Sequence, residues 1–389
     1  MVTSTLMSKV LQFPNAVYIH IPFCTNKCHY CDFNSYVLKG QPVQAYLDAL
    51  EREMELTVLT YPPTLIETIF VGGGTPTVLT PSQMEHFLRL IHTYFPQQSP
   101  HLEFTMEANP GTTDIEKLQV MHDYGVNRLS MGVQSFNPDL LFKIGRIHSV
   151  AEVYQSIENA KKVGFTNLSI DLMFGLPQQT LKQLQDSLDE ALELDLPHIS
   201  IYGLKIEEDT LFHSLYHKNQ LLLPSEDVEV DMYFRIMECL QAAGYEQYEI
   251  SNFAKPGYAS KHNTTYWKNE YYYGLGAGAH GYIHGQRHMN VKAIQAYIDA
   301  CQVGLPVAEQ FAVSREEAME DFMMVGLRML HGVRNTDFRQ QFAVSIQSIF
   351  GKQIDLLLEK KLIEPTVDGF RLSERGIPLG NEVFAAFIS

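Results

Sequence analysis

The sequence predicts an α/β protein with a partial (β/α)6 barrel of the TIM type and a small, winged-helix-like α+β domain at the C-terminus. Over residues 1–250, short β-branched runs alternate with longer helical patterns, and repeated βα units build a parallel sheet. Residues 306–389 instead carry helical patterns followed by a strand, a turn and a strand. Two units also suit a chain of 389 residues, because a single core stops growing at about 250 to 300 residues.

The predicted barrel consists of six strands that alternate with helices. The strands are expected at residues 17–21, 68–71, 102–107, 128–133, 168–172 and 199–204. The helices are expected at residues 46–59, 115–124, 150–163, 181–194 and 228–243, before an ambiguous strand at 245–250. Six βα units can curl into a full or a partial barrel with its site at the C-terminal ends of the strands, and we favour the partial barrel.

A region rich in glycine and aromatic residues, 251–305, connects the two predicted units. Its first part, residues 251–282, contains three consecutive tyrosines from Tyr271 and a glycine-rich run from Gly274, and we interpret it as an irregular functional loop. In the winged-helix-like domain, the helices are expected at residues 316–330, 336–342 and 346–360, and the last strand ends at residue 372.

Composition and charge restrict the function. Hydrophobic residues make up 45% of the chain and charged residues 19%, a balance that is typical of a folded protein. The chain has 29 Lys and Arg against 45 Asp and Glu, and its net charge of -16 repels a phosphate backbone. We therefore expect no nucleic acid partner, and a packing or partner-binding role for the winged-helix-like domain.

Sequence signals favour a cytoplasmic protein. No run of about 18 apolar residues predicts a transmembrane segment, and Met1 to Pro14 show neither a secretory nor a mitochondrial targeting pattern. The five cysteines, three of them between residues 24 and 31, do not resemble a disulfide framework and suit a reducing compartment. Weak contact with a membrane surface is left open.

Three cysteines directly after the first predicted strand indicate a metal site. Cys24, Cys28 and Cys31 form a CxxxCxxC motif, and thiolates select iron–sulfur clusters or zinc. A 4Fe–4S cluster ordinarily takes four cysteines, so this motif leaves one iron open. The amino and carboxylate groups of a methionine derivative can chelate that iron. The alternative is a structural zinc site with His29 as the fourth ligand.

Polar residues follow the next predicted strands at the same rim. Gly72-Gly-Gly-Thr-Pro76 lets the backbone approach a ligand closely, and Thr75 adds a hydroxyl group. Carboxylate, amide and guanidinium groups then recur near strand ends, at Glu107, Gln134, Arg146 and Asp171. Each alone is more often a cap or an ion-pair residue. Together they describe a polar pocket of nucleoside size at the C-terminal edge of the sheet.

A second candidate site lies in the connecting region. The run from Lys261 to Trp267 contains the single tryptophan of the chain. His262 could ligate a haem iron, and Tyr266 and Trp267 could pack against a flat macrocycle. The ordinary alternative is a buried histidine with its hydrogen bonds satisfied. His280 is a second candidate ligand.

These motifs resemble those of a known family. The run Tyr18 to Cys24, the remaining cysteines with Tyr30, the GGGTP segment and the run Gly132 to Phe136 resemble the radical-SAM proteins related to oxygen-independent coproporphyrinogen III oxidase. The HNxxYW motif at His262 is similar to that of the haem-chaperone branch of this family. The resemblance implies a radical-SAM barrel with one 4Fe–4S cluster on the three cysteines.

The resemblance also implies which residues bind the cofactors. The residues implied in S-adenosylmethionine binding are Tyr18, Tyr30, Gly74, Thr75, Pro76, Glu107, Gln134, Arg146 and Asp171. The residues implied in haem binding are His262, Asn263, Tyr266 and Trp267.

Two functions are therefore expected to compete. In the first, the protein is a haem chaperone that carries the cluster and S-adenosylmethionine, binds haem and transfers it to acceptor apoproteins. In the second, it is an oxygen-independent coproporphyrinogen III oxidase that dehydrogenates porphyrin propionates. The oxidase has a further cysteine two positions after the third motif cysteine, where this chain has Phe33, and a long N-terminal arm, where this chain has sixteen residues before the predicted strand. Both departures favour the chaperone. A radical-SAM enzyme with an unrelated substrate is a third interpretation.

Overall fold

The computed structural model describes residues 13–388. The predicted units 1–250 and 306–389 each extend beyond this range, and most of the segment from Met1 to Pro14 lies outside the described residues.

Within the described residues, the strands of the protein lie close to the predicted positions. In chain order they are β1 (Ala16–Ile21), β2 (Phe23–Cys24), β3 (Tyr36–Val37), β4 (Ile66–Gly73), β5 (Gln98–Ala108), β6 (Arg128–Gln134), β7 (Asn167–Phe174), β8 (His198–Gly203), β9 (Glu246–Glu249), β10 (Asn252–Ala254), β11 (Tyr272–Leu275), β12 (His280–Ile283), β13 (Gln286–Asn290), β14 (Val307–Ala312), β15 (Val333–Arg334), β16 (Ile363–Thr366) and β17 (Gly369–Leu372). All six predicted barrel strands are present.

The helices also include several that the sequence did not predict, α7 and α9 among them. In chain order they are α1 (Val43–Thr60), α2 (Pro81–Tyr94), α3 (Ile115–Asp123), α4 (Pro138–Lys143), α5 (Val150–Val163), α6 (Leu181–Glu193), α7 (Leu211–His217), α8 (Glu226–Ala242), α9 (Lys261–Trp267), α10 (Ile294–Cys301), α11 (Arg315–Gly326), α12 (Asn335–Phe342), α13 (Ile346–Glu359) and α14 (Gly380–Ala385). Between residues 13 and 388, every helix is too short or too polar to span a bilayer.

A single open sheet forms the barrel. Its strand order is β14-β13-β12-β11-β1-β4-β5-β6-β7-β8-β10-β9, and every pairing from β11 through β8 is parallel. Antiparallel strands continue the sheet on both sides, so the parallel strands do not close on themselves. The prediction of an α/β partial barrel is confirmed, and the C-terminal part adds the small sheet β15-β17-β16 among helices α11 to α14.

The prediction of an irregular loop over residues 251–282 is wrong. This segment contains β10, α9, β11 and part of β12, and β11 pairs parallel with β1 through Tyr18 and Gly274. The glycines that suggested a loop instead allow close packing of strands. A Cβ atom at Gly274 would lie 1.8 Å from the carbonyl oxygen of His280, so only glycine fits this position in the sheet.

Two separate apolar cores stabilise the chain. The larger lies between the sheet and its outer helices and extends from Val17 to Cys301, so it includes side chains from the connecting region. The smaller extends from Met319 to Phe387 within the C-terminal part. Alternate residues of the barrel strands face the other way, and there they are largely polar, for example Thr105. The interior of the barrel is therefore available for a polar site.

Candidate cluster and nucleotide site

The cysteine loop follows β1 at the C-terminal edge of the parallel sheet. Cys24, Cys28 and Cys31 are all half-buried, and the amide of Cys31 donates to the carbonyl oxygen of Cys28 at 3.3 Å. Lys27 folds the loop together, because its ammonium group donates to Phe33 O at 2.7 Å. Burial raises the pKa of the Cys24 thiol and raises that of Cys31 to about 11. Binding of iron at these thiols therefore releases protons.

The donor geometry does not favour the mononuclear zinc alternative. Between residues 13 and 388, no three His, Cys, Asp or Glu side chains are gathered so that they could hold one metal ion. The proposed fourth ligand, His29, has Nδ1 2.9 Å from Lys143 O, which leaves only Nε2 for a metal. Zinc needs its ligands to converge on a single point, whereas thiolates of a cubane cluster bind different irons.

Polar side chains surround two of the sulfur atoms. Thr75 Oγ1 donates to Cys24 Sγ at 3.6 Å, and Arg146 Nη1 donates to Cys28 Sγ at 3.5 Å. Asn109 joins them, since its Nδ2 donates to Thr75 Oγ1 and its Oδ1 accepts from Arg146 Nη2, both at 2.7 Å. The sequence motifs did not assign Asn109 a role, although it stands in an Asn-Pro pair directly after β5. These donors would stabilise thiolates and the negative charge of a bound cluster.

A cavity of about 130 Å³ opens beside Cys28 and Arg146. The Nε atom of Arg146 is buried next to it and has no hydrogen-bond partner among the described residues. A guanidinium with a free donor at a cavity suits a ligand that carries a carboxylate. The lining residues are Thr25, Asn26, Cys28, Asn109, Pro110, Gly111, Thr112, Gly145, Arg146, Ile147, His148 and Glu152.

The glycine segment after β4 lies directly against the cysteine strand. The amide of Gly74 donates to Ile21 O at 2.9 Å, and the amide of Thr75 donates to Phe23 O at 2.7 Å. A Cβ atom at Gly74 would lie 2.6 Å from Phe23 O, so a side chain there would separate the two segments. Pro76 begins a 3-10 turn that directs the chain away from the rim. This cradle therefore holds the backbone of Gly74 and Thr75 against the segment that leads to Cys24.

Two carboxylates and an amide complete the rim. Glu107 accepts from the amide of Gly73 at 3.0 Å, and Asp171 accepts from Ser130 Oγ at 3.2 Å. Burial, and next the nearby Asp171, raise the pKa of Glu107 to about 8. Burial also raises the pKa of Asp171. Two buried carboxylates suit a cationic ligand group, and Gln134, held at φ 68° at the end of β6, adds an amide.

The two tyrosines of the predicted set have different surroundings. The hydroxyl of Tyr18 lies 2.9 Å from Nδ1 of His20, and its ring stacks on Phe70 inside the barrel. Tyr30 instead packs against a small apolar cluster that contains Phe212. Burial raises the pKa of both phenols, so both stay neutral and can donate a hydrogen bond.

Replacing Glu107 with glutamine is expected to remove a pH-dependent loss of stability. The folded protein holds the Glu107 pKa at about 8, above the usual 4.5, so the unfolded chain ionises first. The free energy of unfolding should therefore fall as the pH rises from about 4.5 to about 8 and then level off. Urea unfolding of the metal-free protein across this range measures the effect. Glu55→Gln, at an exposed position of α1, is the control, and an unchanged slope in Glu107→Gln would refute the assignment.

The HNxxYW motif lies on α9, away from the cysteine rim. His262 is fully buried and contacts strand β4 towards its N-terminal end, where Nδ1 lies 2.9 Å from Thr68 Oγ1. Its Nε2 lies 2.8 Å from the hydroxyl of Tyr266, and its ring stacks on Phe70. Burial lowers the pKa of His262 to about 3. The ring is therefore neutral, and neither nitrogen is free to bind iron in this conformation.

A buried carboxylate holds α9 in the barrel. Glu103 of β5 accepts hydrogen bonds from Ser260 Oγ at 3.1 Å and from the amides of Lys261 and His262, each at 2.9 Å. The negative charge also lies at the positive end of the helix. Asn263 is half-buried in the first turn of the same helix. α9 therefore closes the barrel interior on the side opposite the cysteines.

The last residue of the motif connects the barrel to the C-terminal part. The guanidinium of Arg328 lies 4.3 Å from the centre of the Trp267 ring, and its Nη2 contacts the fully buried Glu249 at 3.1 Å. The indole nitrogen of Trp267 is buried and has no partner among residues 13–388. The second candidate ligand, His280, is exposed at the start of β12. The structure thus brings Thr75, Asn109 and Arg146 to the cysteine loop. The HNxxYW motif lies deeper in the barrel, where the rings of His262 and Tyr18 both stack on Phe70.

Two family models match the chain. The model of the Radical SAM superfamily matches residues 18–191, and the model of the HemN C-terminal domain matches residues 313–379. The partial barrel, the cysteine loop and the polar rim therefore define a radical-SAM protein with a HemN-type C-terminal domain.

Proteins that match nearly the full length of the chain identify its family within this superfamily. The chain is 47% identical to the heme chaperone HemW of Bacillus subtilis (strain 168) over 374 residues, which cover 96% of this chain and 99% of that protein. It is 34% identical to the heme chaperone HemW of Escherichia coli (strain K12), over 97% of this chain and 98% of that protein. The chain belongs to the HemW family.

A solved structure shares the whole fold. Coproporphyrinogen III oxidase (HemN) from Escherichia coli, described as a radical SAM enzyme, superposes with a TM-score of 0.84 over 97% of this chain and 90% of that chain. The sequence identity is 24%, so this likeness concerns the fold.

Proposed function

We propose that this protein is a haem chaperone, which binds haem, transfers it to acceptor apoproteins, and carries a 4Fe–4S cluster with S-adenosylmethionine. The observation that carries the proposal is its similarity, over nearly the full length of both chains, to proteins named heme chaperone HemW. Phe33, which is exposed, stands where the oxidase has a further cysteine, and this difference supports the chaperone over the oxidase.

The cluster and the nucleotide occupy the rim of the barrel. Cys24, Cys28 and Cys31 bind three irons, and S-adenosylmethionine binds at the fourth, where the cluster can supply an electron to its sulfonium. The cavity with the unpaired Arg146 Nε and the glycine cradle supports this placement. The residues proposed to contact S-adenosylmethionine are Tyr18, Tyr30, Gly74, Thr75, Pro76, Glu107, Gln134, Arg146 and Asp171.

The HNxxYW motif is proposed to bind haem only after α9 has left the barrel. In the present conformation His262 uses both ring nitrogens in buried hydrogen bonds, so its coordination to iron requires their loss. Asn263, Tyr266 and Trp267 move with the same helix. Trp267 contacts Arg328, which follows α11. Movement of α9 would therefore break a contact with the C-terminal part.

We further propose the three units predicted from the sequence: the barrel over 1–250, the haem-motif region over 251–305 and the C-terminal domain over 306–389. The two separate apolar cores support a distinct C-terminal domain. We also propose that the protein acts in the cytoplasm and binds no nucleic acid, which the net charge of -16 supports.

Haem titration followed by transfer tests the proposed function. The full chain is reconstituted anaerobically with iron, sulfide and S-adenosylmethionine, titrated with haem, and then mixed with apomyoglobin as a probe acceptor. We expect one haem per chain by the Soret band and transfer to the acceptor. Absence of haem binding would contradict the proposal. Conversion of coproporphyrinogen to protoporphyrinogen with consumption of S-adenosylmethionine would favour the oxidase instead.

A further inference from the structure

A pair of histidines lies one helical turn apart on the surface helix α7. The Nε2 atoms of His213 and His217 are 3.0 Å apart, and the two rings meet edge to face. His217 is exposed and His213 is half-buried. A hydrogen bond between two ring nitrogens requires that one donates a proton and the other accepts it with its lone pair. One ring nitrogen of the pair therefore presents a lone pair, which is what a metal ligand needs.

We propose that His217 is the ligand of haem iron in the conformation described here, before α9 moves. This inference rests on the proposed function, because it names a second haem site for the same protein. Coordination forms one bond between Nε2 of His217 and the iron, and the hydrogen bond with His213 breaks. No proton or electron is transferred when the ring already carries the lone pair.

The difference in burial between the two histidine sites supports this assignment. His262 is fully buried, and both of its ring nitrogens have partners, so freeing it leaves buried polar groups unpaired, which is costly. The bond between His213 and His217 lies at the surface, where water replaces it at little cost. Haem can therefore reach His217 without any rearrangement of the barrel.

The side chains around α7 suit both the apolar macrocycle of haem and its charged propionates. Leu211, Tyr216 and Leu222 are large apolar side chains that are at least 48% exposed, and Tyr216 lies edge to face against His217. Such side chains can cover part of an apolar macrocycle. Lys218 follows directly at the C-cap of α7 and is exposed, so it can pair with a propionate.

Haem on α7 would also lie next to the cluster loop. The amide of Phe212, in the first turn of α7, donates to the carbonyl oxygen of His29 at 3.0 Å. The Phe212 ring is buried in the cluster that also packs against Tyr30. His29 and Tyr30 separate Cys28 from Cys31 in the sequence. A change in the cysteine loop on cluster or nucleotide binding would therefore reach the histidine pair through direct contacts.

Soret titration of variants tests the inference. Haem is titrated into the anaerobically reconstituted full chain, in buffer with a chelator that removes free metal ions. The variants are His217→Ala and His213→Ala with His217→Ala, and the matched control is His101→Ala, an exposed histidine of β5. We expect the dissociation constant to rise at least tenfold, with a shifted Soret band, in both His217 variants, and a wild-type titration for the control.

The outcomes separate this inference from the proposed function. If the wild-type chain binds haem and the double variant binds it with the same dissociation constant, the inference is overturned and the chaperone function stands. A wild-type chain that binds no haem would overturn both. Iron content and the response of the cluster to S-adenosylmethionine are measured on every variant, and loss of either in the double variant would assign its effect to the cysteine loop and contradict the inference.

Discussion

Replacing Cys28 with serine is expected to abolish the iron–sulfur cluster. The wild-type chain should hold about four irons and four sulfides after anaerobic reconstitution, and the variant close to none. Three thiolates are all the protein ligands that this cluster has, so the variant removes one third of them, and the hydroxyl of serine is a poor ligand for iron. Iron and sulfide analysis with the charge-transfer absorption measures the loss.

The chain offers a matched control for this experiment. Cys239 is also half-buried, but it lies on α8 and donates to Gln185 Oε1 at 3.5 Å, away from the cysteine loop. Cys239→Ser should retain the full iron content. If Cys28→Ser retained it as well, the three-cysteine site would be wrong.

Replacing Glu103 with alanine is expected to give the largest loss of stability in the barrel interior. The carboxylate is buried and accepts three hydrogen bonds, from Ser260 Oγ and from the amides of Lys261 and His262. Bonds to a charged group contribute about 1.5 to 3 kcal/mol each, and unpaired donors add to the cost. Because part of α9 can relax towards water, we expect a decrease of roughly 4 kcal/mol in the free energy of unfolding. Urea unfolding of the metal-free protein measures it.

Two further variants define the cause. Glu103→Gln keeps an acceptor oxygen without the charge, and it should lose less than Glu103→Ala. Glu55→Ala removes an exposed carboxylate from the middle of α1 and should change the free energy by less than about 0.5 kcal/mol. Equal losses in Glu103→Ala and Glu55→Ala would show that Glu103 does not hold α9 in place.

Local sequence signals explain which elements could be predicted. Helix α5 was predicted with its observed bounds, because Ser149 and Glu152 form a capping box at its start and Gly164 adopts φ 113° at its end. The cysteine loop and the glycine segment were equally clear, because each directly follows a strand. Their common position at the rim follows from the parallel sheet alone.

Long-range contacts explain what the sequence could not reveal. Glu103 and His262 are 159 residues apart in the sequence, and no local pattern links residues at such a distance. The HNxxYW motif therefore gave no signal that α9 is buried. The strand β11 was missed because Gly274 was interpreted as part of a loop, when its lack of a side chain serves close packing against His280. The pair on α7 did have a local signal, two histidines four residues apart, which indicates one face of a helix.

Electron paramagnetic resonance of the reduced cluster tests the central claim most directly. The claim is that three thiolates leave one iron open and that S-adenosylmethionine binds there. After anaerobic reconstitution and reduction, we expect the spectrum of a reduced 4Fe–4S cluster that changes when S-adenosylmethionine is added. A protein that holds stoichiometric zinc without iron, or a cluster spectrum that is the same with and without the nucleotide, would contradict the claim.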